Sequence, residues 1–280
     1  HVHICCLSDY VPLAERLIDR EHRLHVIRKY HKFDFTVVPR LARLLRRLKI
    51  DVVQGYLFDA DIAARLAGRI AHTPVIISSE RNTDYRLKKR QLVAFRLTRR
   101  CVDLVIANSN AGAAFNSRVL GMPPAMYRVV HNGVDTQRFS PRPQDGLRVR
   151  RELGIGDDES VVGMFASFKE QKNHPLFFAA ARRIMERLPR VRFLLVGDML
   201  AGGMHGSEQY KDRIDRLVDE LGVRARCIFT GNQEQVEHFY NACDLTVLPS
   251  FFEGTANVLL ESMACGVPVV ATNVSDNAYI

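Results

Sequence analysis

Leu248-Pro-Ser-Phe-Phe-Glu-Gly-Thr-Ala-Asn-Val-Leu-Leu-Glu-Ser-Met-Ala-Cys-Gly-Val-Pro-Val-Val-Ala-Thr272 reads as strand, loop, helix and strand. The apolar run 245–248 stops at Pro249-Ser250. Glu253-Gly254-Thr255 forms a turn, and Gly254 lets the backbone come close to a ligand. A helix is expected to about residue 265, with Val258, Leu259 and Met263 on its apolar face. Gly266 then ends it, and Pro268 opens a buried strand at 269–271. A helix that starts after a glycine turn presents unpaired N–H groups and a partial positive charge, which suits an anion. Glu253 and Glu261 flank that helix start with seven residues between them. By themselves, two such glutamates read more simply as a dipole-complementing side chain and a solvated one.

Outward from this stretch, strand and helix alternate in both halves. Strands are expected at 2–7, 24–27, 52–54, 75–78, 104–107 and 128–131, with helices at 12–20, 36–49, 59–71, 85–100 and 110–120. Residues 138–146, with Pro141 and Pro143, read as a linker. Strands follow at 161–166, 193–196, 227–230, 245–248 and 269–271, with helices at 175–188, 208–221 and 235–241 between them. The fold class is therefore α/β: two doubly wound, Rossmann-like domains, 1–140 and 141–280, with ligands expected at strand carboxyl ends and in the cleft between them.

The chain has 280 residues, 47% hydrophobic and 25% charged, which is ordinary globular composition. It has no apolar run near the roughly 18 residues that a membrane span needs. His1-Val2-His3 reads as a strand already under way, so a fragment lacking both ends is expected. Six cysteines, with no Cys-x-x-Cys pair, argue for reduced, packed thiols in a cytoplasmic protein, without a zinc site. The net charge of +9 is lopsided: residues 1–140 carry 24 Lys/Arg against 12 Asp/Glu, and residues 141–280 carry 16 against 19. Leu41, Leu44, Leu45 and Leu48 share a helix face beside Arg40, Arg43, Arg46, Arg47 and Lys49. Arg86, Lys88, Lys89, Arg90, Arg96, Arg99 and Arg100 decorate a second helix containing Leu87, Leu92, Val93, Phe95 and Leu97. The leucines read as core. The arginines exceed what solubility needs and suit an anionic membrane surface. Nucleic acid ranks below it, because no aromatic stacking pattern accompanies the charge.

The block around Glu253 closely resembles the Glu-(seven residues)-Glu signature of the retaining, family-four nucleotide-sugar glycosyltransferases. The match extends to Gly254, Asn257, Leu260, Met263-Ala264-Cys265-Gly266 and Pro268-Val269-Val270-Ala271-Thr272. The resemblance implies the GT-B fold and transfer of a sugar from a nucleotide-diphosphate sugar, without metal or cofactor. It implies that Glu253 meets donor-sugar hydroxyls and that Glu261 holds the ribose. Gly254, Thr255, Ala256, Asn257 and Val258 would then cradle sugar and diphosphate. The family holds the departing diphosphate with an arginine and a lysine on the loop after the first strand of the second domain. Lys172 matches the lysine; Ser167 stands at the arginine position, and Lys169 is the nearby cation. Asn132-Gly133 reads as a positioning turn, and the backbone at Gly231 falls where the family lines the base pocket.

Two features depart from the family. Its first glycine loop would precede residue 1, and residues 75–84 lack the usual acceptor-domain histidine, leaving Glu80, Arg81 and Asn82 there and Gln54 on a neighbouring strand end. The expected partners are a nucleotide-sugar donor, a carbohydrate or lipid-linked acceptor, and an anionic surface at the inner membrane face. A non-catalytic sugar-nucleotide binder and a sugar-nucleotide epimerase are the alternatives.

Overall fold

A computed structural model describes all residues except 12–13, 32–33, 82–86 and 199–206. The chain divides into two compact units, His1–His131 and Asn132–Ile280. The expected helix at 12–20 and the start of the one at 85–100 fall partly outside the described residues, and the glycine-rich stretch of sequence at 201–206 lies wholly outside them.

The first unit runs β1 (Ile4–Cys6), α1 (Arg20–Arg23), β2 (Leu24–Val26), α2 (Val37–Arg47), β3 (Val52–Tyr56), α3 (Phe58–Ala71), β4 (Val75–Glu80), α4 (Lys89–Thr98), β5 (Leu104–Ala107), α5 (Asn110–Leu120) and β6 (Tyr127–Val129). Every strand pair is parallel, but the strands form two groups, β1-β2 and β3-β4-β5-β6, rather than one sheet. Both groups contribute to one apolar cluster, in which Leu41, Leu45 and Ala67 are buried against Cys5, Leu7 and Val53. The signals at α5 are local. Ser109 Oγ accepts from the Gly112 N–H at 3.0 Å at its start, and Gly121 at φ 65° ends it.

Polar side chains are sunk between this sheet and its helices. Arg65 is fully buried, its guanidinium 4.8 Å over the Phe95 ring. Its Nη2 lies 2.9 Å from Asp61 Oδ2, though out of hydrogen-bond alignment, and its Nε donates to Ser78 Oγ at 3.0 Å. Ser78 Oγ donates to Asp61 Oδ1 at 2.7 Å. Burial raises the Asp61 carboxyl even against the pull of Arg65.

The second unit runs α6 (Pro143–Glu152), β7 (Ser160–Phe165), α7 (His174–Arg187), β8 (Val191–Val196), α8 (Ser207–Glu220), β9 (Cys227–Phe229), α9 (Val236–Asn241), β10 (Leu245–Leu248), α10 (Asn257–Ala264) and β11 (Val269–Ala271). The parallel sheet has the order β11-β10-β7-β8-β9. Val162, Met164, Phe193 and Leu195 face one apolar cluster, while Val161, Phe165, Leu194 and Val196 face another. That period of two, apolar on both faces, is why these strands read as unbroken hydrophobic runs.

The segment 138–146 is not a linker. Phe139 is buried in the second unit, and Pro143 sits in the first turn of α6, where its missing N–H costs nothing. A Cβ on Gly146 would collide with the Asn241 carbonyl, so this glycine lets α6 press against the end of α9.

Candidate active site in the second unit

The chain winds outward from β7 through β8 to β9, then returns to the other side of β7 as β10 and β11. The β7/β10 boundary is therefore a topological switch point, and the loops leaving the carboxyl ends of these neighbours diverge around a crevice. Those loops are residues 166–173, after β7, and residues 249–256, after β10. They carry most of the residues singled out by the sequence.

Lys172 Nζ donates to Glu253 Oε1 at 2.6 Å, and both side chains are largely buried. Gln171 joins the loops: its Nε2 donates to the Phe252 carbonyl at 2.8 Å, and its own carbonyl accepts from the Phe251 N–H at 2.9 Å. Lys169 is half-buried, and burial, followed by the nearby Lys172, lowers its pKa; Glu253 pulls the other way. Two cations and a carboxylate thus share one electrostatic neighbourhood.

Gly254, Thr255 and Ala256 are buried, and α10 begins at Asn257 with no side chain capping its first turn. Its first N–H groups are left for another partner. Asn132 braces this corner, donating to the Thr255 carbonyl at 3.2 Å and to Asn257 Oδ1 at 2.7 Å. The positioning turn read at Asn132-Gly133 thereby acquires a target. Gly266, at φ 76°, ends α10 as expected, but Met263 is 45% exposed while Ser262 is buried against Thr246. The apolar face of α10 is carried by Leu259, with Val258 half-buried.

Glu261 lies one turn further along, on α10. Tyr240 OH donates to its Oε2 at 2.8 Å. The Tyr240 ring is fully buried, stacked on Phe165 at 3.8 Å and edge-on to Phe139. Burial raises the Glu261 carboxyl, while Tyr240 and Arg138 oppose that rise. Arg138 is held by Glu237, Nε to Oε2 at 2.9 Å. Gly231 lies on the far side of β8, at φ 68°, its carbonyl accepting from the Gly197 N–H at 2.9 Å.

The structure brings Lys169, Lys172, Glu253 and residues 254–258 to one switch point, with Glu261 on the helix that begins at Asn257. Gln171 and Tyr240 escaped the sequence reading. Asn132 reads only as a turn, without its partners; Gln171 and Tyr240 act across 81 and 21 residues and carry no local signal. In the first unit, Glu80 is engaged by Asn116 Nδ2 at 2.6 Å and Tyr127 OH at 3.3 Å, and Gln54 Nε2 donates to Ser79 Oγ at 2.6 Å. Asn82 is outside the described residues. Among the described residues, no group of three or more His, Cys, Asp or Glu could hold a metal ion.

Two family models match the chain: Glycosyltransferase Family 4 over residues 1–138 and Glycosyl transferases group 1 over residues 147–280. The UDP-Gal:alpha-D-GlcNAc-diphosphoundecaprenol alpha-1,3-galactosyltransferase of Escherichia coli is 27% identical over 246 residues, 85% of this chain and 61% of that protein. The D-inositol 3-phosphate glycosyltransferase of Mycobacterium tuberculosis is 34% identical over 174 residues, 61% of this chain and 34% of that one. The chain thus spans less than two thirds of the length of these curated relatives. Among solved structures, Anabaena HepE in complex with UDP and glucose superposes with a TM-score of 0.84 at 24% identity, over 98% of this chain and 74% of its own. That likeness gives the fold, GT-B.

Proposed function

The chain belongs to the family-four, group 1 glycosyltransferases, and we propose that it moves a sugar, with retention, from a nucleotide-diphosphate sugar to a lipid-linked or carbohydrate acceptor. The observation that carries this reading is the buried Lys172–Glu253 pair beside the uncapped start of α10, at the β7/β10 switch point. A diphosphate there meets two lysines and a helix dipole, groups that stabilise charge as it develops on a leaving group. Glu253, released from Lys172, turns to hydroxyls of the sugar. Glu261, oriented by Tyr240, accepts from the ribose hydroxyls.

In transfer, the bond from the anomeric carbon to the diphosphate oxygen breaks, and its electron pair leaves with the nucleoside diphosphate. The acceptor oxygen bonds the same face of that carbon and passes its proton to the departing phosphate. The diphosphoundecaprenol-linked acceptor named for the Escherichia coli relative supports a lipid-linked acceptor here, presented at a membrane. No helix among the described residues is long and apolar enough to cross one.

The test is a panel of nucleotide sugars against the full-length protein, read by thermal shift and by release of nucleoside diphosphate. One donor should stabilise the protein and turn over when acceptor is added. Glu261→Ala should lose roughly 1.5–3 kcal/mol of nucleotide affinity, since its hydrogen bonds are charge-assisted. Unchanged affinity in that variant refutes the ribose assignment. Epimerised product without acceptor refutes the transferase.

A further inference from the structure

The first unit employs its two basic helices differently. On α4, Arg96 donates to the Val119 carbonyl at 3.1 Å, and Arg99, just past its end, to the Gly121 carbonyl at 3.3 Å. On α2, Arg40, Arg43 and Arg47 follow at i, i+3 and i+7, and so share one face. Arg40 is held by Asp34, at 3.1 Å, and by the Arg28 carbonyl. Arg43 and Arg47 are exposed, with no hydrogen-bond or ion-pair partner among the described residues. The three arginines line a groove of about 380 Å³ against Leu24, Val26 and Leu44. Val26 is 45% exposed on β2, the end strand of a two-stranded pair. Where α2 begins, Phe35 is 77% and Tyr30 69% exposed, with the Arg40 guanidinium 5.4 Å over the Tyr30 ring.

We propose that this groove binds the phosphate of an anionic membrane lipid headgroup, with Phe35 and Tyr30 seated at the lipid–water boundary. A guanidinium fork matches phosphate oxygens two at a time, and Arg43 and Arg47 have no protein acceptor to give up. An inorganic phosphate would use those arginines and leave the apolar wall in water. A lipid covers both, because its phosphate meets the arginines while its glycerol and upper chain meet Val26 and Leu24. Large aromatic rings left in solvent beside cations are what an interfacial surface presents. The inference deepens the membrane-presented acceptor of the proposed function and rests on it for its purpose. The competing face is α4, where Val93 and Leu97 are 54% and 78% exposed.

The experiment is co-sedimentation of the full-length protein with phosphatidylglycerol-containing and pure phosphatidylcholine vesicles across a salt series. Wild type should bind the anionic vesicles alone and release as salt rises. Each arginine near an anionic leaflet contributes roughly fivefold, so Arg43→Gln with Arg47→Gln should weaken partitioning on the order of thirty-fold. Phe35→Ser should weaken it further, and Arg96→Gln with Arg99→Gln should change it little. The α2 variant must keep its donor-induced thermal shift. This separates loss of the groove from loss of the fold, and failure of this inference from failure of the donor site. Unchanged vesicle binding in the α2 variant overturns the groove, as does a larger loss from Val93→Ser with Leu97→Ser. Stripping by inorganic phosphate at matched ionic strength assigns the arginines to a soluble anion, and tighter binding of an oligonucleotide than of vesicles assigns them to nucleic acid. Either result overturns the lipid.

Discussion

In the second unit, polar side chains gather at the carboxyl ends of the strands, where Lys169, Lys172 and Glu253 surround the start of α10. In the first unit Asp61, Arg65 and Ser78 form a buried cluster between the sheet and its helices, and Glu80, at the end of β4, is held by Asn116 and Tyr127. One winding therefore serves two ends. The first arrangement leaves groups to meet a ligand, and the second spends them on holding helices to a sheet. A buried ion pair adds little net stability over an apolar pair, but breaking it leaves an uncompensated charge.

The largest expected effect tests that distinction. Asp61→Ala strands the Arg65 guanidinium at zero exposure and should destabilise the first unit by roughly 3–5 kcal/mol. Urea titration checks it, and a loss under 1 kcal/mol would mean that water reaches Arg65. Lys172→Ala should slow transfer on the order of 10²–10³-fold, beyond whatever stability is lost by leaving the Glu253 carboxylate without its cation. Affinity for a nucleoside without phosphates should not move, and an equal loss for nucleoside and donor would take Lys172 away from the diphosphate.

Acidity should separate the units as well. Burial raises the Glu80 carboxyl to about 7 against the bonds from Asn116 and Tyr127, so the folded first unit holds a proton that the unfolded chain gives up near 4.5. Its contribution is full below about 4.5 and lost as pH rises through about 7. Burial lowers His174, stacked on Phe168, to about 3 from 6.5. The second unit therefore gains from neutral His174 above 6.5 and loses it as pH falls toward 3. Each contribution is at most roughly 3–5 kcal/mol. Hydrogen exchange followed between pH 5 and 8 should show protection shifting toward the second unit as pH rises, and Glu80→Gln should flatten the first unit's response. Parallel pH trends in both units would break the contrast.

The smallest effect is the finest test. Tyr240→Phe keeps the aromatic stack on Phe165 and removes one hydrogen bond to Glu261, worth about 1 kcal/mol. KM for the donor should rise about fivefold while kcat holds, and the pH profile for donor binding should move to higher pH as Glu261 loses its donor. A 2′-deoxy donor should be less sensitive to the change. If kcat alone falls, Tyr240 does not act through Glu261.

What could be read in advance follows the same division. The helix between Glu253 and Gly266 is announced by local signals, a turn glycine at one end and a left-handed glycine at the other. The start of α6 reads as a linker although Pro143 at its first turn is itself a starting signal, because Pro141 and Pro143 together suggest a break. Arg65 gave no sign of burial, since a lone arginine on a helix is ordinarily solvated and its Ser78 partner lies on the next strand. Met263 fits the apolar period of α10 and still faces outward, with Ser262 inside to meet Thr246. Local periodicity specifies elements, whereas pairing across 81 residues, as between Lys172 and Glu253, is specified only by the winding.

That pairing has a consequence for how donor binding responds to electrolyte. The Lys172 ammonium already carries its own counterion in the Glu253 carboxylate, 2.6 Å away. An arriving diphosphate therefore exchanges one tethered anion for another, and few ions from solution need to leave. Donor affinity should vary only gently with salt, with Lys169 supplying most of the slope, whereas attachment through exposed arginines falls steeply as the Debye length shrinks below about 10 Å. In dilute or in saline solution alike, the protein would keep its sugar donor while its grip on a charged surface came and went.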